Sequence, residues 1–250
     1  MIRLVRAEFL KLRTTQVWFW LLLGAIAISA LTVIGPLAGG DPKNGRDVAE
    51  MFGSAALAYV VIFVLGVLGV TTEFRYQTIT ATVLLTPSRW AVVTAKMITY
   101  ALLGIAYALV CVLVQLAIAV PWLDAKGVDY SLGQDGIPHA VGGVFLVLAL
   151  FGIVGLGIGA LVRNQVVAVS VGVIFLVVLE NVFLAIPGVK HVYPYLPEGG
   201  IRAIADVTAR DQDLNGVRLL PVGGGVAVLL LWAFVPAIIG AAFSMNRDIT

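Results

Sequence analysis

Hydrophobic and polar residues follow one another along this chain in long blocks, not in short alternation. Apolar stretches occupy about 17–38, 51–70, 97–120, 138–162, 166–186 and 221–243. A helix crossing the hydrocarbon layer needs about 20 mainly apolar residues, so each stretch is a candidate span. Polar segments at 39–50, 71–96, 121–137, 163–165 and 187–220 join them. Ahead of the first stretch, Ile2, Val5, Phe9 and Leu12 recur at spacings of three and four, which marks one face of a helix. Arg3, Arg6, Lys11 and Arg13 surround that face against the single acid Glu8. This reads as an amphipathic helix over 1–16 lying on an anionic leaflet. The stretch at 17–38 exceeds the roughly 7–15 apolar residues of a cleaved signal segment, so it is expected to be retained as a span.

Composition carries the same message. Hydrophobic residues make up 60% of the chain, charged residues only 12%, and mean hydropathy is +1.03. That is too little charge to cover a soluble domain, so lipid is the expected solvent. A net charge of +2 gives no case for nucleic acid as a partner. The lone Cys111 lies in an apolar run and permits no intrachain disulfide. The fold class expected is therefore all-α and integral to the membrane. It comprises a six-helix domain over 17–243 and a short tail over 244–250.

An even number of spans puts both termini on one side. The basic cluster before the first span assigns that side to the cytoplasm by the positive-inside rule. Asp41, Asp47, Glu50, Asp124, Asp129, Asp135, Glu198, Asp206, Asp211 and Asp213 then fall outside, against Glu8, Glu73 and Asp248 inside. Acids weigh little in topology, so this skew is consistent and no more.

Within the spans, four features stand out. Gly152, Gly155, Gly157 and Gly159 crowd the fourth stretch; small residues at such spacing let helix backbones approach closely, and a hinge is the alternative reading. Pro236 interrupts the hydrogen-bond ladder of the sixth. In the third, Tyr100, Gly104, Tyr107, Cys111 and Gln115 form a mildly polar stripe that should avoid lipid and face either protein or a pathway. Glu180, with Asn181 beside it, lies roughly 9 Å inside the fifth span at the rise of a helix. A carboxylate at that depth has to be protonated, paired or facing water. Tyr107, Gln115, Glu180 and Asn181 are thus candidates either for a substrate pathway or for helix contacts.

Several chemistries are missing from the sequence. No Gly-x-x-x-x-Gly-Lys-Ser/Thr run exists to cradle phosphates. Neither His139 nor His191 has a ligand-spaced partner. No nucleophile elbow or His-Glu-x-x-His occurs. The residues therefore point to a non-enzymatic membrane protein without a metal or cofactor of its own.

The segment from Thr72 to Arg89 reads Thr-Glu-Phe-Arg-Tyr-Gln-Thr-Ile-Thr-Ala-Thr-Val-Leu-Leu-Thr-Pro-Ser-Arg, with Ala95-Lys96 following. It resembles the inner loop of the ABC type-2 exporter permeases, the group that includes bacterial drug, bacitracin and sodium-extrusion permeases. Glu73, Arg75, Thr78, Leu84, Leu85, Pro87, Arg89 and Lys96 match that family's pattern in type and order. Gln77 stands where the family has glycine, and Pro87-Ser-Arg89 is one residue shorter. Ala7 to Arg13 resembles the family's basic N-terminal helix. Leu161-Val-Arg163-Asn-Gln resembles its short second inner loop, and Tyr195-Leu-Pro197 resembles the re-entrant, amphipathic region before the last span.

The resemblance implies a permease subunit in the bacterial plasma (inner) membrane. It would pair with an identical or sister permease and sit on two ATP-binding cassette ATPase subunits, which would hold the ATP and Mg. It implies export of a hydrophobic or amphipathic substrate, and it marks Glu73, Arg75, Thr78, Arg89 and Arg163 as contacts for the ATPase. Two other classes compete with this reading: a channel or carrier working without an ATPase, and a membrane scaffold. A solvated basic loop facing anionic lipid is the competing explanation of Glu73, Arg75 and Arg89.

Overall fold

The structure, a computed structural model, describes residues 1–39, 42, 44–76, 89–134, 136–206, 214 and 216–246. Thr78 lies outside the described residues, as do Asp41, Asp135, Asp211, Asp213 and Asp248 and the 77–88 part of the family-like segment. Arg89 opens a helix, but its side chain is likewise outside them.

Helix α1 (Ile2–Thr14) precedes the bundle and α2 (Val17–Gly39) is the first span. The second span starts earlier than the apolar block suggests. It comprises α3 (Gly45–Gly53), a 3-10 turn (Ser54–Ala58) and α4 (Tyr59–Arg75). Asn44 caps it, its Oδ1 accepting the Asp47 N–H at 3.1 Å. The third span, α5 (Arg89–Lys126), is also longer than its apolar core. Then come α6 (Ile137–Val162), α7 (Gln165–Ile174), a π turn (Phe175–Leu179) and α8 (Glu180–Ala185). A 3-10 turn (Lys190–Tyr195), α9 (Pro197–Ala205) and the last span α10 (Val222–Asn246) complete the chain. Six of these units are long and apolar enough to cross a bilayer.

The fourth span, α6, is the axis of the bundle, packed against α4, α5 and α10. Its glycines explain how. A Cβ on Gly152 would lie 2.5 Å from the carbonyl oxygen of Tyr100 on α5, and one on Gly157 would lie 2.6 Å from the backbone nitrogen of Ala237 on α10. A Cβ on Gly155 would run into the carbonyl of Phe63 on α4. Three neighbours thus touch the axis backbone to backbone, which is the packing reading of that cluster. The outward faces stay apolar: Trp20, Leu31, Val166, Val171 and Leu231 are all exposed. Such a surface is stable against lipid and not against water.

The polar stripe of the third span is wholly interior. Tyr100, Tyr107, Cys111 and Gln115 are buried. Tyr107 donates its hydroxyl to the carbonyl of Trp18, and Ser29 donates to the carbonyl of Cys111 at 3.0 Å. The Gln115 carboxamide is hydrogen-bonded to Thr32 at 3.2 Å and Ser54 at 3.3 Å. These contacts fasten the first span to the third and to the entry turn of the second. Helix α9, though short, is buried along most of its length against α6 and α10. Its C-terminal Ala205 touches both Gly53 and Gly143.

Candidate functional site

Two helix ends that the sequence places in a loop are instead part of the bundle. Helix α4 continues through Arg75 and α5 begins at Arg89, so Glu73 and Lys96 sit on helices and are buried. This corrects the reading of Glu73 as a loop-surface residue. The reason is charge pairing. Lys96 Nζ lies 2.7 Å from Glu73 Oε1 and 2.6 Å from Glu8 Oε2. Lys11 Nζ lies 2.8 Å from each of Glu8 Oε1 and Glu73 Oε1. Four side chains therefore form a closed ring of alternating sign, in which every charge meets two of the opposite kind. Polar side chains on the same turn need no water either. Thr71 donates to the carbonyl of Val67 at 2.8 Å and Thr72 to that of Leu68 at 2.5 Å.

The ring joins three elements far apart in sequence: α1, the end of the second span and the start of the third. It also decides which face of α1 meets the bundle. Glu8 is its buried residue, whereas Ile2, Phe9 and Leu10 are exposed. Burial alone disfavours a charged Glu8, but Lys96 and Lys11 outweigh it and hold the carboxyl below its ordinary value. Lys11 is partly buried too, and Glu73 and Glu8 together raise it above the ordinary lysine value.

Around this ring lie the other residues singled out from sequence. Arg75 is exposed, its guanidinium 5.8 Å from the ring centroid of Tyr76. Arg163 ends α6 with φ 56°, in the left-handed region. A non-glycine residue there costs roughly 1 kcal/mol, which a glycine would avoid. Its guanidinium stands 5.4 Å from the ring of Phe74. Asn164 then opens α7, accepting the Val167 N–H at 3.1 Å. The short connection between spans four and five is thereby set beside the end of span two. Glu73, Arg75 and Arg163 share one face of the molecule.

At the opposite face, Glu180 and Asn181 part company. Asn181 is exposed and donates to the carbonyl of Val177 on its own helix at 3.0 Å. Glu180 is fully buried, and its Oε2 accepts the backbone N–H of Glu198 at 2.6 Å. Tyr59 donates its hydroxyl to Glu198 Oε2 at 3.0 Å, and Arg202 Nη2 reaches Glu198 Oε1 at 3.3 Å. Tyr107 and Gln115 lie elsewhere, in the seam of the first three spans, so the four pathway candidates do not form one cluster.

Sequence reasoning missed Glu8, Lys11, Glu198, Tyr59 and Arg202. The signal available was a lone acid in each of two otherwise unsuitable settings: Glu8 within a basic helix, and Glu198 directly after Pro197. Among the described residues, no three His, Cys, Asp or Glu side chains stand close enough to hold a metal ion.

A family model described as ABC-2 family transporter protein matches residues 4–179. That stretch runs from α1 through the π turn and contains the whole ion-pair ring. No curated protein matches the chain. The chain belongs to the ABC-2 family of transporter proteins, whose permeases are membrane transport components working with ATPase partners and are not themselves catalytic enzymes.

Proposed function

We propose that this chain is one permease subunit of an ATP-driven exporter in the bacterial cell membrane, with both termini in the cytoplasm. Two such subunits, identical or sister, flank a pathway for a hydrophobic or amphipathic substrate of drug, peptide or lipid-like kind. They rest on two ATPase subunits, which hold the ATP and Mg. Helix α1 lies along the inner leaflet with Ile2, Phe9 and Leu10 toward lipid.

The observation that carries this reading is the ring of Glu8, Lys11, Glu73 and Lys96. It ties both ends of the 77–88 segment to α1. A push from below on α1 is then delivered through the ring to spans two and three together. Span two in turn touches the axial helix at glycine contacts, so its displacement reaches the core of the bundle. A partner shifts such an equilibrium only through contacts that differ between its states. Arg75 and Arg163 are the groups on this face suited to make them, and the family resemblance gives Thr78 and Arg89 the same role.

The test is Arg75→Glu in the complex reconstituted with its ATPase subunits. Arg75 is exposed, so the fold should persist. Loss of ATP-dependent transport with normal insertion supports the reading. Transport that continues at full rate without ATP or the ATPase would favour a carrier instead, and unchanged coupling in Arg75→Glu and Arg163→Glu would remove these residues from the interface.

A further inference from the structure

The fifth span changes helical register at one place. Helix α7 passes into the π turn Phe175–Leu179, and α8 resumes at Glu180. A π turn shifts the phase of the helix beyond it, and such turns concentrate at functional sites. Here Val177, Val178 and Leu179 stay exposed on the lipid side while the next residue, Glu180, is 0% exposed.

The surroundings of Glu180 are unbalanced. Its Oε2 accepts the N–H of Glu198, the second residue of α9, at 2.6 Å. Its Oε1 is buried and has no hydrogen-bond partner among the described residues. The ionisable groups facing it are Glu198 from α9, Tyr59 from α4 and Tyr193 from the 3-10 turn. Arg202 and the Tyr59 hydroxyl are both directed at Glu198. The arginine beside these two buried carboxyls therefore serves Glu198. The positive end of α9 favours negative charge at Glu180. Against it stand complete burial, an unsatisfied oxygen and the neighbouring Glu198 carboxylate. A cavity of about 170 Å³ beside them, lined by Tyr59 and Glu198 together with Glu50, Arg202 and Asp206, is roomy and polar enough to hold water.

We propose that Glu180 is a proton-binding site that latches the re-entrant helix α9. Carrying its proton, the side chain is neutral and holds the N-terminus of α9 against the fifth span. On giving the proton to water in the adjoining cavity, the carboxylate draws water between α8 and α9, and the helix is released. Docking of α9 is thus linked to proton uptake: it strengthens as pH falls and weakens as pH rises. Because α9 also bears on α6 and α10, its release loosens one end of the axial helix. The latch belongs to this chain alone and does not depend on the ATPase reading.

The test is amide hydrogen exchange over residues 197–205 in the full chain in lipid nanodiscs, corrected for the intrinsic pH dependence of exchange. In the wild type, protection of α9 is expected to fall about tenfold between about pH 5 and about pH 9. In Glu180→Gln, which keeps the acceptor for the Glu198 N–H but cannot ionise, protection is expected to vary less than about twofold over that range. Wild-type protection independent of pH would overturn the proposal. So would the wild-type pH dependence persisting in Glu180→Gln, which would place the titrating group elsewhere. Infrared spectroscopy of the wild type keeps the test decisive if that variant does not fold. The band of a neutral buried carboxyl should disappear over the same pH interval in which α9 loses protection, and a spectrum unchanged with pH refutes the latch.

Discussion

At the face carrying α1, Glu8 and Glu73 each meet two lysines, whereas at the opposite face Glu180 and Glu198 have, among the described residues, one arginine between them. Both arrangements bury carboxyl groups in a bundle that is otherwise apolar. In the first, charge is balanced in place, and the ring ties three elements together. In the second the balance is incomplete, and one carboxyl is left to a helix N-terminus and a proton. A balanced cluster suits a rigid joint. An unbalanced one suits a joint that opens.

Removing the cation at the centre of the balanced cluster should have the largest effect. Lys96→Met leaves Glu8 and Glu73 with only the half-exposed Lys11, and uncompensated buried charge of this kind costs roughly 3–5 kcal/mol. Equilibrium unfolding of the purified subunit in detergent checks this. A loss below about 1 kcal/mol would mean that the ring is solvated and not a joint.

Next in size is the effect of acid on the same cluster. Glu8 is held below its ordinary value in the folded protein, so its contribution is fully present above the unfolded carboxylate value. That contribution is lost as pH falls through the lower folded value. Lys11 is raised, so its contribution is present below the unfolded lysine value and lost only as pH rises through the raised one. The joint at α1 should therefore hold steady through neutral pH and weaken at strong acid or strong alkali. Protection of α1 and the end of α4 across a pH series measures it, beside the loss between about pH 5 and about pH 9 expected for α9.

Tyr59→Phe acts at the opposite face. It removes one donor to Glu198 and should cost about 1 kcal/mol, with α9 losing protection before α1 does. Smallest of all should be Lys11→Ala. That lysine is 47% exposed in its side chain while Lys96 is 9%, so solvent screens it and less than about 1 kcal/mol is expected. Equal losses for Lys11→Ala and Lys96→Met would show that burial does not set the hierarchy.

Much of the architecture was legible in the sequence for a simple reason: a bilayer imposes length and hydrophobicity on every span, and both can be read directly. The glycines of the fourth span and the polar stripe ending at Gln115 were legible for a related reason, since neither belongs against lipid. Span ends were harder. Glu73 and Lys96 look like loop residues because single charges do not belong in lipid, and only their pairing with Glu8 and Lys11 makes helical, buried positions possible. That pairing crosses 62 to 88 residues of sequence and leaves no local trace. The π turn is equally silent, because Phe175-Leu-Val-Val-Leu179 reads as an ordinary apolar run. Glu180 could be picked out as an anomaly, but its partner is a backbone N–H on a helix that sequence alone does not bury.

The ring of alternating charge as the joint between ATPase and spans is the central claim, and substrate-stimulated ATP hydrolysis in the assembled complex tests it most directly. Lys96→Glu sets three acids around Lys11 and should abolish stimulation. Reversing all four charges (Glu8→Lys, Lys11→Glu, Glu73→Lys and Lys96→Glu) restores the alternation and should recover stimulation in large part. Full stimulation in an assembled Lys96→Glu complex would contradict the claim.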